Sequence, residues 1–438
     1  KQEKMKKITL IAAAILCGMV MNLNAQLMTK ITAKIYSTAL DDEIWVNVYL
    51  PLEYFYYPES NYYPVIYYLH GWTGNHNSVS EIIPIAGTMI EAGMIDPVII
   101  VSPDNWVEPF EGSCYLNSIL WGNYEDFNVN DLIDWVDASF RTIPTRKGRA
   151  IIGQSMGGYG AFRYSLLHKN KFCAFAANGP TLNFQMLVDN IQANLLTENL
   201  GPPYSYSYQN GASFTKWMFL LAGAAAPNLN TPQTYINPAI VEYPFNEYCE
   251  PIDTVWQKLH TKDIIPLLHN TLPEDSVGIL YCCGTNDEWQ LYEANAALAD
   301  TLDALGLPYE FYSHTGGHNM PNDFKTRAFY FLDSLLLPPA QNWVGIDDPV
   351  NKASDVKLSV YPNPMNHQAT ISFDLTYAAP VIITLLNHLG QEVALIYDNW
   401  MQPGYRQVEM NIAAQPSGLY FLRLHTGERT VTQKIIKY

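Results

Sequence analysis

The chain has 438 residues, with 42 acidic against 25 basic side chains and a formal net charge of −17. Hydrophobic residues make up 48% and charged residues only 15%, well below the roughly one quarter usual in soluble domains. This composition excludes a disordered acidic tail and a coiled coil, and the length suits one large domain plus a small one. No stripe of Lys and Arg is available for phosphates, so no nucleic-acid partner is expected.

The first segment is expected to target the chain rather than to fold. Lys4, Lys6 and Lys7 precede an apolar run over 8–20, and Asn24-Ala25-Gln26 supplies a small residue at a cleavage site. Residues 1–25 therefore read as a secretory signal peptide with Met5 as candidate start; the run is too short to span a bilayer. Its removal takes four Lys and one Glu and leaves a net charge of −20. No later stretch is apolar enough for a transmembrane segment.

Over 26–338, short apolar runs at 65–69, 98–101, 149–152, 173–177, 278–283 and 310–313 alternate with helical patterns at 130–141, 155–168, 292–305 and 323–337. Continuous apolar character suits strands buried on both faces. The alternation predicts an α/β domain with a mostly parallel central sheet. Before it, 30–50 alternates at Ile44, Val46, Val48 and Leu50 and predicts an antiparallel edge hairpin. Residues 181–260, rich in Pro, Asn and Tyr with little periodicity, read as an inserted lid.

After 338 a polar, Pro-containing linker is expected over 339–355. From 356 to 438, alternating runs at 357–361, 370–375, 381–386, 391–397, 407–412, 418–425 and 430–436 are separated by turn signals such as Leu389-Gly390. Seven short strands at regular spacing predict a small all-β sandwich.

Five cysteines remain after the leader: Cys114, Cys173, Cys249, Cys282 and Cys283. Cys173, Cys282 and Cys283 lie in apolar strand-like runs and read as small buried hydrophobes. A Cys114–Cys249 bridge is the one pairing the spacing leaves open. Neither a CxxC pair nor HExxH occurs, so no metal and no cofactor is expected.

The most informative stretch is Gly153-Gln154-Ser155-Met156-Gly157-Gly158, between an apolar strand and a helix pattern. Gly-x-Ser-x-Gly in that context is a nucleophile elbow. The chain reverses so sharply that side chains at 153 and 157 would clash, and the serine hydroxyl is left exposed above the sheet. Free N–H groups at the helix start favour a developing anion.

A serine hydroxyl needs a base, and the base an acid to fix its tautomer. In this fold the chain order is Ser, acid, His. Asp287 follows strand 278–283 in Gly284-Thr285-Asn286-Asp287, and His318 follows strand 310–313 in His314-Thr315-Gly316-Gly317-His318. Rivals are Glu288, which a tight turn should point elsewhere, and His314, whose place at the strand end suits a structural role. Asp300 and Asp303 read as helix surface, and His260, His269, His367, His388 and His425 as surface or structural. The oxyanion donors expected are the backbone N–H of Met156 and that of Trp72 in Leu69-His70-Gly71-Trp72, with Gly71 as fallback; His70 shapes the loop.

Aromatic clusters occur at 54–57, 62–63 and 204–208, with Trp106 and Trp121 in loop-like stretches. Trp106, Trp121 and Gln154 are candidate substrate contacts, since aromatic faces stack on sugar or phenolic rings. Surface cover in a low-charge exported protein accounts for the tyrosines equally well.

Residues 30–338 resemble the esterase-D-type α/β-hydrolases, a group that includes carbohydrate esterase family one, S-formylglutathione hydrolases and mycolyltransferases. The resemblance runs through Leu69-His70-Gly71, Tyr124-Glu125-Asp126-Phe127, residues 153–160 and 284–287, and Gly316-Gly317-His318. It implies an α/β-hydrolase with Ser155 as nucleophile, Asp287 as acid and His318 as base. The 132 residues between Ser155 and Asp287 exceed the separation in compact members, and the insert accounts for them.

Residues 356–438 resemble the sorting domain of type IX secretion, through Val360-Tyr361-Pro362-Asn363-Pro364, residues 389–393, 416–421 and 432–435. The resemblance implies passage through the outer membrane of a Gram-negative cell by the type IX machinery. Together these readings predict a secreted or surface-displayed serine esterase acting on acyl groups, feruloyl or acetyl, of plant polysaccharide. A peptidase or acyltransferase of the same fold and a non-catalytic adhesin are the alternatives.

Overall fold

The continuous apolar runs become strands of one sheet because both of its faces are covered. In a computed structural model the described residues are 27–56, 61–208, 212–228, 241–269, 277–341, 358–363, 365–375, 379–387, 392–426 and 429–437. The expected leader, nearly all of the linker and the 389–390 turn lie outside them. The chain divides into two units, Lys1–Ile346 and Asp347–Tyr438.

In the first unit, β1 (Met28–Ser37) and β2 (Asp42–Pro51) form the expected antiparallel hairpin. The remaining strands of the eight-stranded sheet are β3 (Val65–Leu69), β4 (Ile99–Pro103), β5 (Arg149–Gln154), β6 (Ala174–Asn178), β7 (Gly278–Gly284) and β8 (Tyr309–His314). Their order is β1-β2-β4-β3-β5-β6-β7-β8. The hairpin joins β4 antiparallel, and every pair from β4 to β8 is parallel.

Along β3, Val65, Tyr67 and Leu69 enter one core and Ile66 and Tyr68 the other. The first core is completed by α2 (Leu132–Ser139), α3 (Met156–Leu167) and α7 (Tyr292–Leu305); the second by α1 (Ile83–Glu91) and α8 (Asn322–Asp333). Helices on both faces of a largely parallel sheet in this strand order make an α/β-hydrolase fold. All parallel strands end at one edge, where such sheets place their sites.

Among its described residues, the segment expected to be an aperiodic lid contains three helices, α4 (Phe184–Glu198), α5 (Ser213–Ala225) and α6 (Asp253–His260). In α5 every residue from Trp217 to Ala224 is buried. A helix covered on all sides carries no polar stripe and so no readable period.

The five cysteines are buried, and Cys114 and Cys249 are not joined to each other. The Cys114–Cys249 bridge is therefore absent, and burial pushes the Cys114 thiol up.

Among its described residues the second unit has seven strands: β9 (Ser359–Tyr361), β10 (Gln368–Leu375), β11 (Ala379–Asn387), β12 (Glu392–Met401), β13 (Gly404–Asn411), β14 (Gly418–Thr426) and β15 (Arg429–Lys437). They form sheets β9-β10-β13 and β12-β11-β14-β15. Ile371, Phe373 and Met410 from the first sheet share one core with Ile383, Leu385, Leu422 and Ile435 from the second, so the unit is a sandwich.

Two features fix α3 on the sheet. Its first turn runs so close to β3 that a Cβ at Gly157 would sit 1.9 Å from the Leu69 carbonyl oxygen, and one at Gly153 would sit 2.1 Å from the Gly157 oxygen. At its far end, Glu125 accepts from Arg163 Nε at 2.9 Å and pairs with His168 Nε2 at 3.0 Å. Burial alone would raise the Glu125 carboxyl, but its bonds to His168 and Arg163 outweigh burial and hold it below its ordinary value of 4.5.

Gly157→Ala should destabilise the fold by more than about 3 kcal/mol, because neither main chain can withdraw; urea unfolding showing wild-type stability would contradict the contact. A depressed carboxylate contributes stability that is present above its unfolded value and lost as pH falls through the folded one. Glu125→Gln should therefore cost about 2 kcal/mol at pH 7, with the difference from wild type shrinking below pH 4.5. Denaturation curves at the two pH values check this.

Candidate active site

The turn from β5 into α3 holds Ser155 at φ 55° and ψ −115°, a backbone region that costs a non-glycine residue on the order of 1–3 kcal/mol. The conformation is tied down at both sides. Ser155 N–H donates to the Asn178 carbonyl at 2.7 Å, and its carbonyl accepts from Tyr159 N–H at 3.0 Å. Gly71 lies beside it, close enough that an added Cβ would be 3.5 Å from Ser155 Cβ.

Asp287 stands on the loop after β7, with its side chain 1% exposed. Its Oδ2 meets His318 Nδ1 at 2.7 Å and the Cys283 thiol at 3.6 Å, while Oδ1 accepts from Trp289 N–H at 2.9 Å. His318 is on the loop after β8. Gly179, at φ 52° beyond the end of β6, makes room for its imidazole: a Cβ there would be 2.9 Å from Cε1. With Nδ1 donating to the carboxylate, Nε2 is left as the acceptor. That atom is buried and finds no hydrogen-bond partner among the described residues.

Ser155 and His318 line the same cavity of about 900 Å³, although no hydrogen bond joins them. Met156 and Trp72 line it as well. The Trp72 indole donates to the Phe110 carbonyl at 2.8 Å, and Thr73 N–H to the Glu111 carbonyl at 3.0 Å; these bonds anchor the 71–74 loop beside the serine. His70 is buried, with Nδ1 2.8 Å from the Gly71 carbonyl and Nε2 accepting from Asn105 N–H at 2.9 Å, which fits its expected loop-shaping place. Burial lowers its pKa.

The rival residues separate clearly. His314 accepts from Gly316 N–H at 3.0 Å and stacks on Tyr312; no carboxylate bond is seen at its ring among the described residues, and it does not line the cavity. Glu288 does not point elsewhere: its Oε2 accepts from the His318 main-chain N–H at 2.7 Å.

Of the candidate substrate contacts, only Gln154 lines the cavity, and its amide is engaged, donating to the His318 carbonyl at 3.1 Å and accepting from Asn178 at 2.9 Å. Trp106 and Trp121 are absent from the lining. Their indoles are satisfied locally, by Glu108 at 3.1 Å and the Leu116 carbonyl at 3.2 Å. Several of the tyrosines pack instead: Tyr206 stacks on Tyr243 at 4.3 Å, and Tyr54 lies against Tyr63 with the Arg141 guanidinium 4.0 Å from its ring centre, while Tyr56 is exposed. Tyr57 lies outside the described residues.

The aromatic lining is Tyr68, Trp72, Trp217 and Trp289, and the three tryptophans are joined by edge contacts of 5.8 and 5.3 Å through Trp289. Trp217 and Trp289 were not picked out from sequence. Trp217 is hidden at the start of the apolar run of α5 from Trp217 to Ala224, whereas the position of Trp289, two residues after the candidate acid, was a usable signal. Among the described residues no cluster of His, Cys, Asp and Glu is arranged to hold a metal ion, and no helix is long and apolar enough to cross a membrane.

A family described as "Putative esterase" matches residues 37–327, and a secretion system C-terminal sorting domain matches residues 359–438. Two curated proteins named as esterases, from two strains of Mycobacterium tuberculosis, are each 33% identical over 137 residues, which is 31% of this chain and 29% of theirs. The chain thus spans less than a third of the length of the curated relatives it matches. Among solved structures, a ferulic acid esterase shares 18% identity at a TM-score of 0.49, over 70% of this chain and 99% of that one. An S-formylglutathione hydrolase from Staphylococcus aureus shares 20% at 0.46, over 70% and 98%. The chain belongs to the "Putative esterase" family and carries at its C-terminal end the sorting domain of type IX secretion.

Proposed function

We propose that the protein is an exported serine esterase that cleaves carboxylic esters with Ser155, His318 and Asp287, and that its substrates are acyl groups on plant polysaccharide. The observation that carries the reading is the buried Asp287–His318 pair, whose imidazole keeps Nε2 unengaged in the cavity that also holds the strained Ser155. Family membership supports ester chemistry, and the sorting domain supports export through the outer membrane.

In the reaction the Ser155 hydroxyl attacks the ester carbonyl as its proton passes to His318 Nε2. Asp287 holds Nδ1–H and stabilises the imidazolium. The main-chain N–H groups of Met156 and Trp72 face the developing oxyanion, each worth roughly 2.7–4 kcal/mol. Collapse expels the alcohol, which takes the proton from Nε2. Water, deprotonated by the same nitrogen, then attacks the acyl-enzyme; the acid leaves and Ser155 Oγ regains its proton.

The aromatic lining of a cavity of about 900 Å³, Tyr68 with Trp72, Trp217 and Trp289, favours an aryl acyl group such as feruloyl over acetyl, since aromatic faces gain most by stacking on a ring. The test is a panel of methyl ferulate, acetylated xylan and a short aryl ester, run on mature protein and Ser155→Ala. Methyl ferulate should be turned over with the highest kcat/KM, and the variant should lose at least about 10³-fold in kcat on every ester. A variant with full activity would remove Ser155 from the mechanism, and peptide cleavage without ester cleavage would favour a peptidase.

A further inference from the structure

His318 is gripped by its main chain as well as by its ring. Its N–H donates to Glu288 Oε2 at 2.7 Å, and its carbonyl accepts from Asn178 Nδ2 at 2.8 Å and Gln154 Nε2 at 3.1 Å. The grip continues backwards along the loop. The His314 carbonyl accepts from Thr285 N–H at 2.7 Å, the Thr315 carbonyl from Asn286 Nδ2 at 2.6 Å, and the Gly316 carbonyl from Asn286 N–H at 3.1 Å. The loop after β7 therefore holds the loop after β8 nearly residue by residue, and Glu288 closes the series at the histidine itself.

We propose that Glu288 is a positioning residue for the base: it fixes the His318 main chain so that Nδ1 meets Asp287 while Nε2 faces the Ser155 cavity. The inference rests on the esterase reading above and adds a residue to that site. Two consecutive carboxylates then divide one task, Asp287 holding the ring and Glu288 the backbone. The Glu288 side chain lies against the glycine that precedes the histidine, where a Cβ on Gly317 would be 2.3 Å from Oε1. A side chain at residue 317 would therefore have to displace the carboxylate from this position.

The surroundings separate a positioning role from a structural one. The bond between Glu288 and His318 N–H is exposed, so water can take the donor when the carboxylate is removed, and no buried group is orphaned. Folding has little to lose. What is lost is the fixed origin of the imidazole, and a displacement on the order of 1 Å at a catalytic group can cost about 10²-fold in rate. The carbonyl side differs, because Asn178 is 1% exposed and also accepts from Cys282, so changing it would disturb the core.

The experiment compares wild type, Glu288→Ala, Glu288→Gln and Ser155→Ala on one aryl ester, with melting temperatures and a crystal structure of Glu288→Ala. Glu288→Ala should lose about 10- to 100-fold in kcat, with KM within about twofold and a melting temperature within about 2 °C of wild type. Glu288→Gln, which keeps an oxygen to accept from His318 N–H, should recover most of that kcat. In the crystal the 316–318 main chain should be shifted and the Asp287–His318 bond lengthened. An unmoved imidazole overturns the proposal whatever the activity, and so does a Glu288→Ala kcat equal to wild type while Ser155→Ala is dead. A kcat loss matched by a large fall in melting temperature also overturns it, as would a Gln variant no better than Ala. Failure of the esterase reading looks different: wild type and Ser155→Ala would share the same rate.

Discussion

The molecule turns on a contact between two main chains. Where α3 crosses the end of β3, a Cβ at residue 157 would stand 1.9 Å from the Leu69 carbonyl oxygen, so helix and sheet meet with no side chain between them. That approach compresses the β5–α3 connection until Ser155 is left at φ 55° and ψ −115°. The strain is held because the neighbours over-determine it. Ser155 N–H is bonded to the end of β6, and the far end of α3 is pinned by Arg163 and His168 on Glu125. A serine whose backbone cannot relax presents its hydroxyl at a fixed point above the sheet edge, and the loop after β8 brings His318 to the same cavity.

Burying the Asp287 carboxylate at 1% exposure requires donors to replace lost water. Three are present: the His318 imidazole, Trp289 N–H and the Cys283 thiol. The ring bond fixes which imidazole nitrogen carries the proton, and the Trp289 bond draws an aromatic wall of the cavity towards the acid. Cys283 fills a buried niche, as its apolar run implies, and also turns its S–H towards Oδ2, so that burial and the nearby carboxylate push its thiol up.

Much of this was legible because strand ends are legible. The apolar runs at 149–152, 278–283 and 310–313 end within a residue or two of the strands observed, and Ser155, Asp287 and His318 were placed by counting from those ends. Residues that matter through side-chain direction were not. Glu288 was expected to turn away because alternation on a tight turn suggests it, yet the loop after β8 returns close enough to offer it a main-chain donor. Trp106 and Trp121 looked available in sequence, but their indoles find oxygens a few residues away. Of the insert helices, α5 was obscured because its run from Trp217 to Ala224 is buried throughout, and no feature of the spacing could show that Cys114 and Cys249 stay apart.

On the proposed reading, chemistry and selectivity sit on separate stretches of chain. Ser155, Met156 and His318 come from the sheet edge, whereas Ala212, Ser213, Lys216 and Trp217 enter the same cavity from the insert between β6 and β7. An insertion there can reshape the wall without moving β5, since the nucleophile is fixed by contacts to β3 and β6 and the base by contacts to the loop after β7. The wall is consequently the part of the site that carries information about the substrate. A two-carbon acyl group would touch little of a cavity of about 900 Å³, leaving most of its lining without contact. Aromatic faces gain binding when a ring lies against them, which on the proposed reading favours a bulky aromatic acyl group, or the sugar bearing it, over acetyl.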